Sequence, residues 1–251
     1  MLMKRQSLII IILSLLLAGC GREFFPEKYY ARSCVATYYA GELSASQFKP
    51  GHPIIYFKWP HSQREDGCIA YSYKSTGKDK DVYDALCAKH NDLNYNRSTR
   101  VPGSGNYPGR FAEYYHSAYW KDFVGINVVS DNDFDEAHPA GTSLNDVMGC
   151  VCRTLWPYVK GGYVHVEGET YDEDCCTIYL PTLTDLPEDV FCLVNDLNIF
   201  FTFVPESAMG THNLTITLTA DDGTIYELLT TAEYSYVWES FPSDYFIDSV
   251  Q

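Results

Sequence analysis

Positive charge is scarce in this chain: 18 Lys and Arg stand against 33 Asp and Glu, for a formal net charge of −15 at neutral pH. Binding to nucleic acid draws much of its affinity from Lys and Arg contacts to phosphates, so no nucleic-acid partner is expected. The same field repels anionic head groups, and no basic patch holds the chain on a membrane. A run that could span a bilayer is also missing. Leu8 to Leu17 is apolar except for Ser14 and is cut short by Arg22 and Glu23, whereas a spanning helix needs about 20 apolar residues. The chain has no nucleophile elbow, no phosphate-cradling glycine loop and no paired-histidine zinc signature. Carboxylates are abundant enough for a glycosidase-like pair, but abundance without geometry names none. The sequence therefore assigns no catalytic residue, no metal and no cofactor.

What is present begins at the N-terminus. Lys4 and Arg5 precede the apolar run, and Ala18 and Gly19 form a small pair before Cys20. A positive start, a short apolar stretch and small residues at a cut are the parts of a secretory signal. The segment "LLLAGC" resembles a bacterial lipobox. That resemblance implies that the Cys20 thiol receives a diacylglycerol, that residues 1–19 are removed, and that the new amino terminus is acylated, for example by palmitate. Several acyl chains, at about 0.8 kcal/mol per buried methylene, anchor a protein that one chain would hold only reversibly. The expected organisation is a signal over 1–19, a lipidated tether over 20–33 and a β-rich body over 34–251, with 96–110 as a candidate subdivision. Loss of Lys4 and Arg5 makes the mature chain still more acidic.

Of nine cysteines, the lipid uses Cys20 and leaves Cys34, Cys68, Cys87, Cys150, Cys152, Cys175, Cys176 and Cys192. An even number in an oxidising compartment predicts disulfides. Their pairing stays open, since eight thiols allow 105 connectivities. If Cys175 and Cys176 lie in a strand, they face opposite sides and take different partners. The rival is a zinc site from Cys150, Cys152, Cys175 and Cys176, whose gaps are unlike the usual two to four residues.

Short β-like runs follow at "CVATYYA", "PIIYFKW" and "CIAYSYK", rich in β-branched and aromatic residues. Residues 79–92 have helical spacing, with Asp79 or Asp81 as the expected cap. The polar stretch 96–110 reads as a long loop. "RFAEYYHSAYWKDF" fits helix or strand, and its Tyr114, Tyr115, Tyr119 and Trp120 would form either a sugar-stacking platform or core. In "SDNDFDEAHPAGTSLNDV", Asp131, Asp133 and Asp135 have calcium-loop spacing. However, Glu136 and Thr142 stand where such a loop needs glycine and glutamate. A turn whose aspartates bond backbone is expected instead, with Ser143 capping a short helix. "GGYVHVEGE" alternates, which would place His165, Glu167 and Glu169 on one strand face. "HNLTITLTADDGTIYELLT" reads as a hairpin turning at Asp222-Gly223.

The segments "INVVSD", "HPAGTSLND" and "HNLTITLTADDGTIYEL", together with the lipobox, resemble uncharacterised lipoproteins of Bacteroides-type bacteria. The resemblance covers about residues 120 to 235 and implies an envelope location with no assigned activity. Only Glu23 closely follows Cys20, which leaves periplasmic and surface display both open. The expected fold is mainly β, an immunoglobulin-like β-sandwich with one or two short helices, braced by disulfides. The leading expectation is an outer-membrane lipoprotein of the cell envelope, its membrane partner reached through the lipid, that binds a glycan or protein ligand. An extracytoplasmic polysaccharide hydrolase is the alternative, and a structural envelope component comes third.

Overall fold

The computed structural model describes residues 32–49, 52–57, 69–95, 116–172, 174–201 and 208–234. In chain order the elements are β1 (Val35–Ala40), β2 (Leu43–Lys49), β3 (His52–Phe57), β4 (Ile69–Ser72), α1 (Lys78–Lys89), β5 (His116–Tyr119), β6 (Phe123–Ser130), β7 (Met148–Thr154), α2 (Trp156–Lys160), β8 (Thr170–Asp172), β9 (Cys175–Leu180), β10 (Val194–Phe201), β11 (Gly210–Ala220) and β12 (Ile225–Tyr234). Among the described residues no helix is long and apolar enough to cross a membrane.

The described strands form three sheets. One has six strands in the order β2-β3-β10-β7-β9-β8, one is β12-β11-β6, and one is β4-β1-β5. In the third, β1 pairs antiparallel with β4 but parallel with β5. Parallel partners need a long crossover, and here the crossover contains α1, which packs against β4 and β1. The expected immunoglobulin-like sandwich is therefore not the fold. That architecture is two purely antiparallel sheets, whereas the described residues make a mixed α/β arrangement of three sheets, none of them closed.

Side-chain alternation explains the longest strands. In β11, Leu214, Ile216 and Leu218 are fully buried, and the threonines between them are partly exposed. The β11–β12 hairpin turns through Asp221 to Thr224, where Gly223 has φ 81° and the Thr224 carbonyl accepts from the Ala220 amide. In β7, flanked by β10 and β9, nearly every residue is buried. One core draws on the six-stranded sheet and the β11 sheet, through Cys150, Cys152, Leu197, Ile216 and Val128. A second gathers Cys34, Tyr38, Tyr83, Cys87, Tyr158 and Cys175.

Disulfide bracing is also overturned. No two of the described cysteines, Cys34, Cys87, Cys150, Cys152, Cys175, Cys176 and Cys192, are joined to each other, and all seven are buried. Five of them, Cys34, Cys87, Cys150, Cys152 and Cys175, sit within the two cores, which a chain of this length can build without staples. Cys20 and Cys68, the 96–110 stretch, and Tyr114 and Tyr115 lie outside the described residues.

Helix α1 forms where the spacing predicts one, with Tyr83 and Cys87 buried four residues apart. Its N-cap is Gly77, with no side-chain cap; Asp79 and Asp81 sit in the first turn, where they favour the positive end of the helix dipole. Residues 163–169 do not form a strand. Gly162, Tyr163 and Gly168 have φ of 69°, 66° and 90°, which breaks the extended chain that their alternation suggested. The segment after Ser143 is likewise not a helix. Ser143 bridges to Val129, and the following residues run along the edge of β6.

The Leu144 amide donates to the Val128 carbonyl at 2.8 Å, and the side chain of Asn145 completes the cover of that edge. Asn145 Oδ1 accepts from the Val128 amide at 3.1 Å, and its Nδ2 donates to the Ile126 carbonyl at 2.9 Å. The side-chain amide thus extends the pairing begun by Ser143 and Leu144 along the edge of β6. Asn145→Ala is expected to lower the unfolding free energy by about 2 kcal/mol, measured as a shift in urea midpoint at unchanged slope.

Candidate functional site

Among the described residues, one group of three side chains has donors suited to a metal ion: Cys34, His116 and Asp174. One ligand atom from each lies within 4.8 Å of the other two. Local structure explains how they meet. Cys34 immediately precedes β1, and its amide donates to Asp92 Oδ1 at 2.7 Å while the Val35 amide donates to Asp92 Oδ2 at 2.9 Å. One carboxylate therefore clamps the head of β1. Val35 pairs with His116 in the parallel β1–β5 register, which puts the imidazole beside the thiol. Asp174 stands directly before β9, at the edge of the six-stranded sheet.

Tyr163 OH also donates to Asp92 Oδ1, at 3.0 Å. That bond helps hold Tyr163 in a left-handed conformation costly to a residue bearing a side chain. Burial raises the Asp92 carboxyl above its ordinary range, and the Cys34 and Val35 amides pull it back in part.

His116 Nε2 meets Asp174 Oδ2 at 3.1 Å, and Tyr95 OH donates to the same oxygen at 2.9 Å. Burial alone would raise the Asp174 carboxyl. Hydrogen bonds from His116, Tyr95 and Tyr158 outweigh it and hold the group down to about 2. His165 Nε2 lies 3.6 Å from Asp174 Oδ1, half exposed. Its ring is stacked on Tyr171 at 4.3 Å. Cys34 is fully buried, whereas His116 and Asp174 are partly open to solvent.

The other sequence candidates do not assemble. Cys150 and Cys152 belong to the first core and Cys175 to the second, so the four-cysteine zinc arrangement does not form. Burial pushes the Cys150, Cys176 and Cys192 thiols up to about 12, with nearby carboxylates adding to it for the last two. Such thiols are unreactive at neutral pH. Cys87 is raised in the same direction by burial.

The acidic turn spends its carboxylates internally. Asp131 accepts from the Asn213 amide, Asp133 from Ala140, and Asp135 from Ala137 and His138. His138 lies between Asp135 and Asp146, at 2.7 and 3.0 Å. Tyr119 is core, stacked on Phe123, and does not join an exposed platform. Glu169 meets Cys176 Sγ, while Glu167 is exposed and apart from His165's contacts with Tyr171 and Asp174.

His116, Asp174 and Asp92 are the residues that sequence reasoning missed. The one available signal was Asp92, an acid just beyond a helix C-terminus, where the dipole disfavours negative charge.

No family model, curated protein or solved structure matches the chain. The described residues form a mixed α/β arrangement that brings Cys34, His116 and Asp174 together.

Proposed function

We propose that the chain is a bacterial envelope lipoprotein, anchored through Cys20, whose body is an extracytoplasmic hydrolase built on Cys34, His116 and Asp174. The convergence of a thiol, an imidazole and a carboxylate carries this reading over that of a passive glycan- or protein-binding module. The resemblance of residues 15–20 to a lipobox supports the anchor.

The bond class follows from the donors. Glycosidic cleavage generally uses two carboxylates flanking the scissile bond, and this group contains one. A thiol, imidazole and carboxylate suit acyl chemistry, by nucleophile activation or by polarising a carbonyl. The substrates are therefore ester or amide bonds of envelope or dietary polymers.

The mature lipoprotein in detergent should release acetate from acetylated polysaccharide, and His116→Ala should reduce the rate by at least about 100-fold. A protein that shifts the mobility of an oligosaccharide without altering it would favour the binding module. For the anchor, Cys20→Ser should abolish palmitate labelling and leave residues 1–19 attached. Normal processing with the product still sedimenting with membranes would defeat the lipid attachment.

A further inference from the structure

We propose that Cys34 Sγ, His116 and Asp174 bind one zinc ion, with His165 as a displaceable fourth ligand. The inference rests on the preceding section only for the location of the centre.

Its first support is the shape of the group. In a thiol–imidazole–carboxylate relay, the sulfur and the carboxylate sit across opposite ring nitrogens. Two hydrogen bonds and the ring between them place those atoms about 7 Å apart. Here the ligand atoms of Cys34 and Asp174 lie within 4.8 Å of each other as well as of the imidazole. The arrangement is a triangle, not a chain. Around a tetrahedral zinc with bonds of about 2.0 to 2.3 Å, ligand atoms are about 3.3 to 3.8 Å apart. A contraction of about an ångström closes the triangle on an ion.

Burial points the same way. The Cys34 side chain lies wholly inside, fixed by the Asp92 clamp on its own amide. It is badly placed to attack a polymer and well placed to ligate from beneath. His116 and Asp174, at 13% and 19% side-chain exposure, form the outer edge of the triangle, so the remaining coordination position faces outward.

The donors select the ion. A thiolate disfavours calcium and magnesium, while sulfur, nitrogen and oxygen together suit zinc. Three protein ligands with an open position are the arrangement of catalytic zinc. Tyr95 OH on Asp174 Oδ2 supplies the outer-shell bond that orients a ligating carboxylate.

His165 stands at the open side. Its Nε2 is 3.6 Å from Asp174 Oδ1, on a loop whose path bends at Gly162, Tyr163 and Gly168. His165 lies outside the triangle, stacked half-exposed on Tyr171, and a short swing of the imidazole fills the fourth position on the ion, to be yielded to water or substrate.

The test uses the mature lipoprotein in detergent, stripped with chelator, then titrated with zinc by calorimetry and with cobalt(II) by absorption. One ion per chain is expected, with tetrahedral cobalt bands and a thiolate-to-cobalt charge-transfer band. Cys34→Ser should remove the charge-transfer band and weaken zinc by about 100-fold or more. Outer-shell changes alone cost 10- to 100-fold. His116→Gln should weaken zinc similarly, which guards against misfolding of the buried Cys34 variant; near-UV circular dichroism reports the fold of each. His165→Ala should keep one ion, bind about 10-fold more weakly and shift the cobalt bands. Absence of stoichiometric zinc in the folded chain would overturn the proposal, as would equal binding by wild type, Cys34→Ser and His116→Gln. Acyl hydrolysis without zinc would remove this inference and leave the hydrolase. Zinc bound without hydrolysis would do the reverse.

Discussion

Asp122→Ala is expected to lower the unfolding free energy by about 3 to 5 kcal/mol, the range found when one member of a buried ionic group is removed. The Asp122 side chain is 7% exposed. Its Oδ2 accepts from His90 Nε2 at 2.8 Å and Lys89 Nζ at 2.6 Å, and its Oδ1 accepts from the Leu193 amide at 3.0 Å. His90 Nδ1 donates to the Leu86 carbonyl, so both ring nitrogens face acceptors. Lys89 also reaches Asp221, in the β11–β12 turn. One carboxylate therefore ties the end of α1 to the β5–β6 turn and the approach to β10. Truncation strands a buried imidazole and a backbone amide, and Lys89 retains only its Asp221 partner.

The same group sets an acid limit. Burial would raise the Asp122 carboxyl, but His90 and Lys89 overcome this and hold it down to about 2. A carboxylate depressed in the folded state contributes stability that is fully present above its ordinary pKa and lost as pH falls through the folded value. The window runs from about pH 4 down to about pH 2, and the contribution at neutral pH is about 2 kcal/mol. Urea midpoints across that window should fall steeply in wild type and less so in Asp122→Asn. Parallel slopes in the two proteins would show that another group controls acid unfolding.

Asp92→Ala is expected to cost about 3 kcal/mol and to loosen the centre at the same time. Removal of this fully buried carboxylate leaves the Cys34 and Val35 amides and the Tyr163 hydroxyl without their acceptor. A buried donor left unpaired costs about 1 to 3 kcal/mol, and part of that is returned because the carboxylate itself no longer has to be buried. Hydrogen exchange should show the Cys34 and Val35 amides opening in a folded variant. Continued protection there would mean that β1 is held by its neighbours alone.

The legible parts of the fold were those where local chemistry decides. Asp222-Gly223 turned the hairpin because Gly223 takes a positive φ, and the spacing of Tyr83 and Cys87 made one helix face. The sheet arrangement was not legible, because strand partners are chosen through long-range packing, and a parallel pair leaves no turn signature between its strands. Residues 163–169 misled for a related reason. Alternation of Val164 and Val166 with polar neighbours imitates a strand, but left-handed residues on either side prevent one.

The centre was not visible in the sequence, where Cys34 stood only as a disulfide candidate. Cys34 was one thiol among several, while His116 and Asp174 lay in ordinary aromatic and acidic stretches. Their meeting depends on the Val35–His116 register and on where β9 begins, neither of which a periodicity can express.

The parallel pairing of β1 with β5 has a temporal consequence. Synthesis delivers residue 34 long before residue 116, and residue 174 later still, so the thiol must wait while most of the chain emerges. The centre can be completed only after both latecomers have arrived, and a nascent or prematurely terminated chain carries Cys34 without its two neighbours. The three side chains thus come together late and all at once.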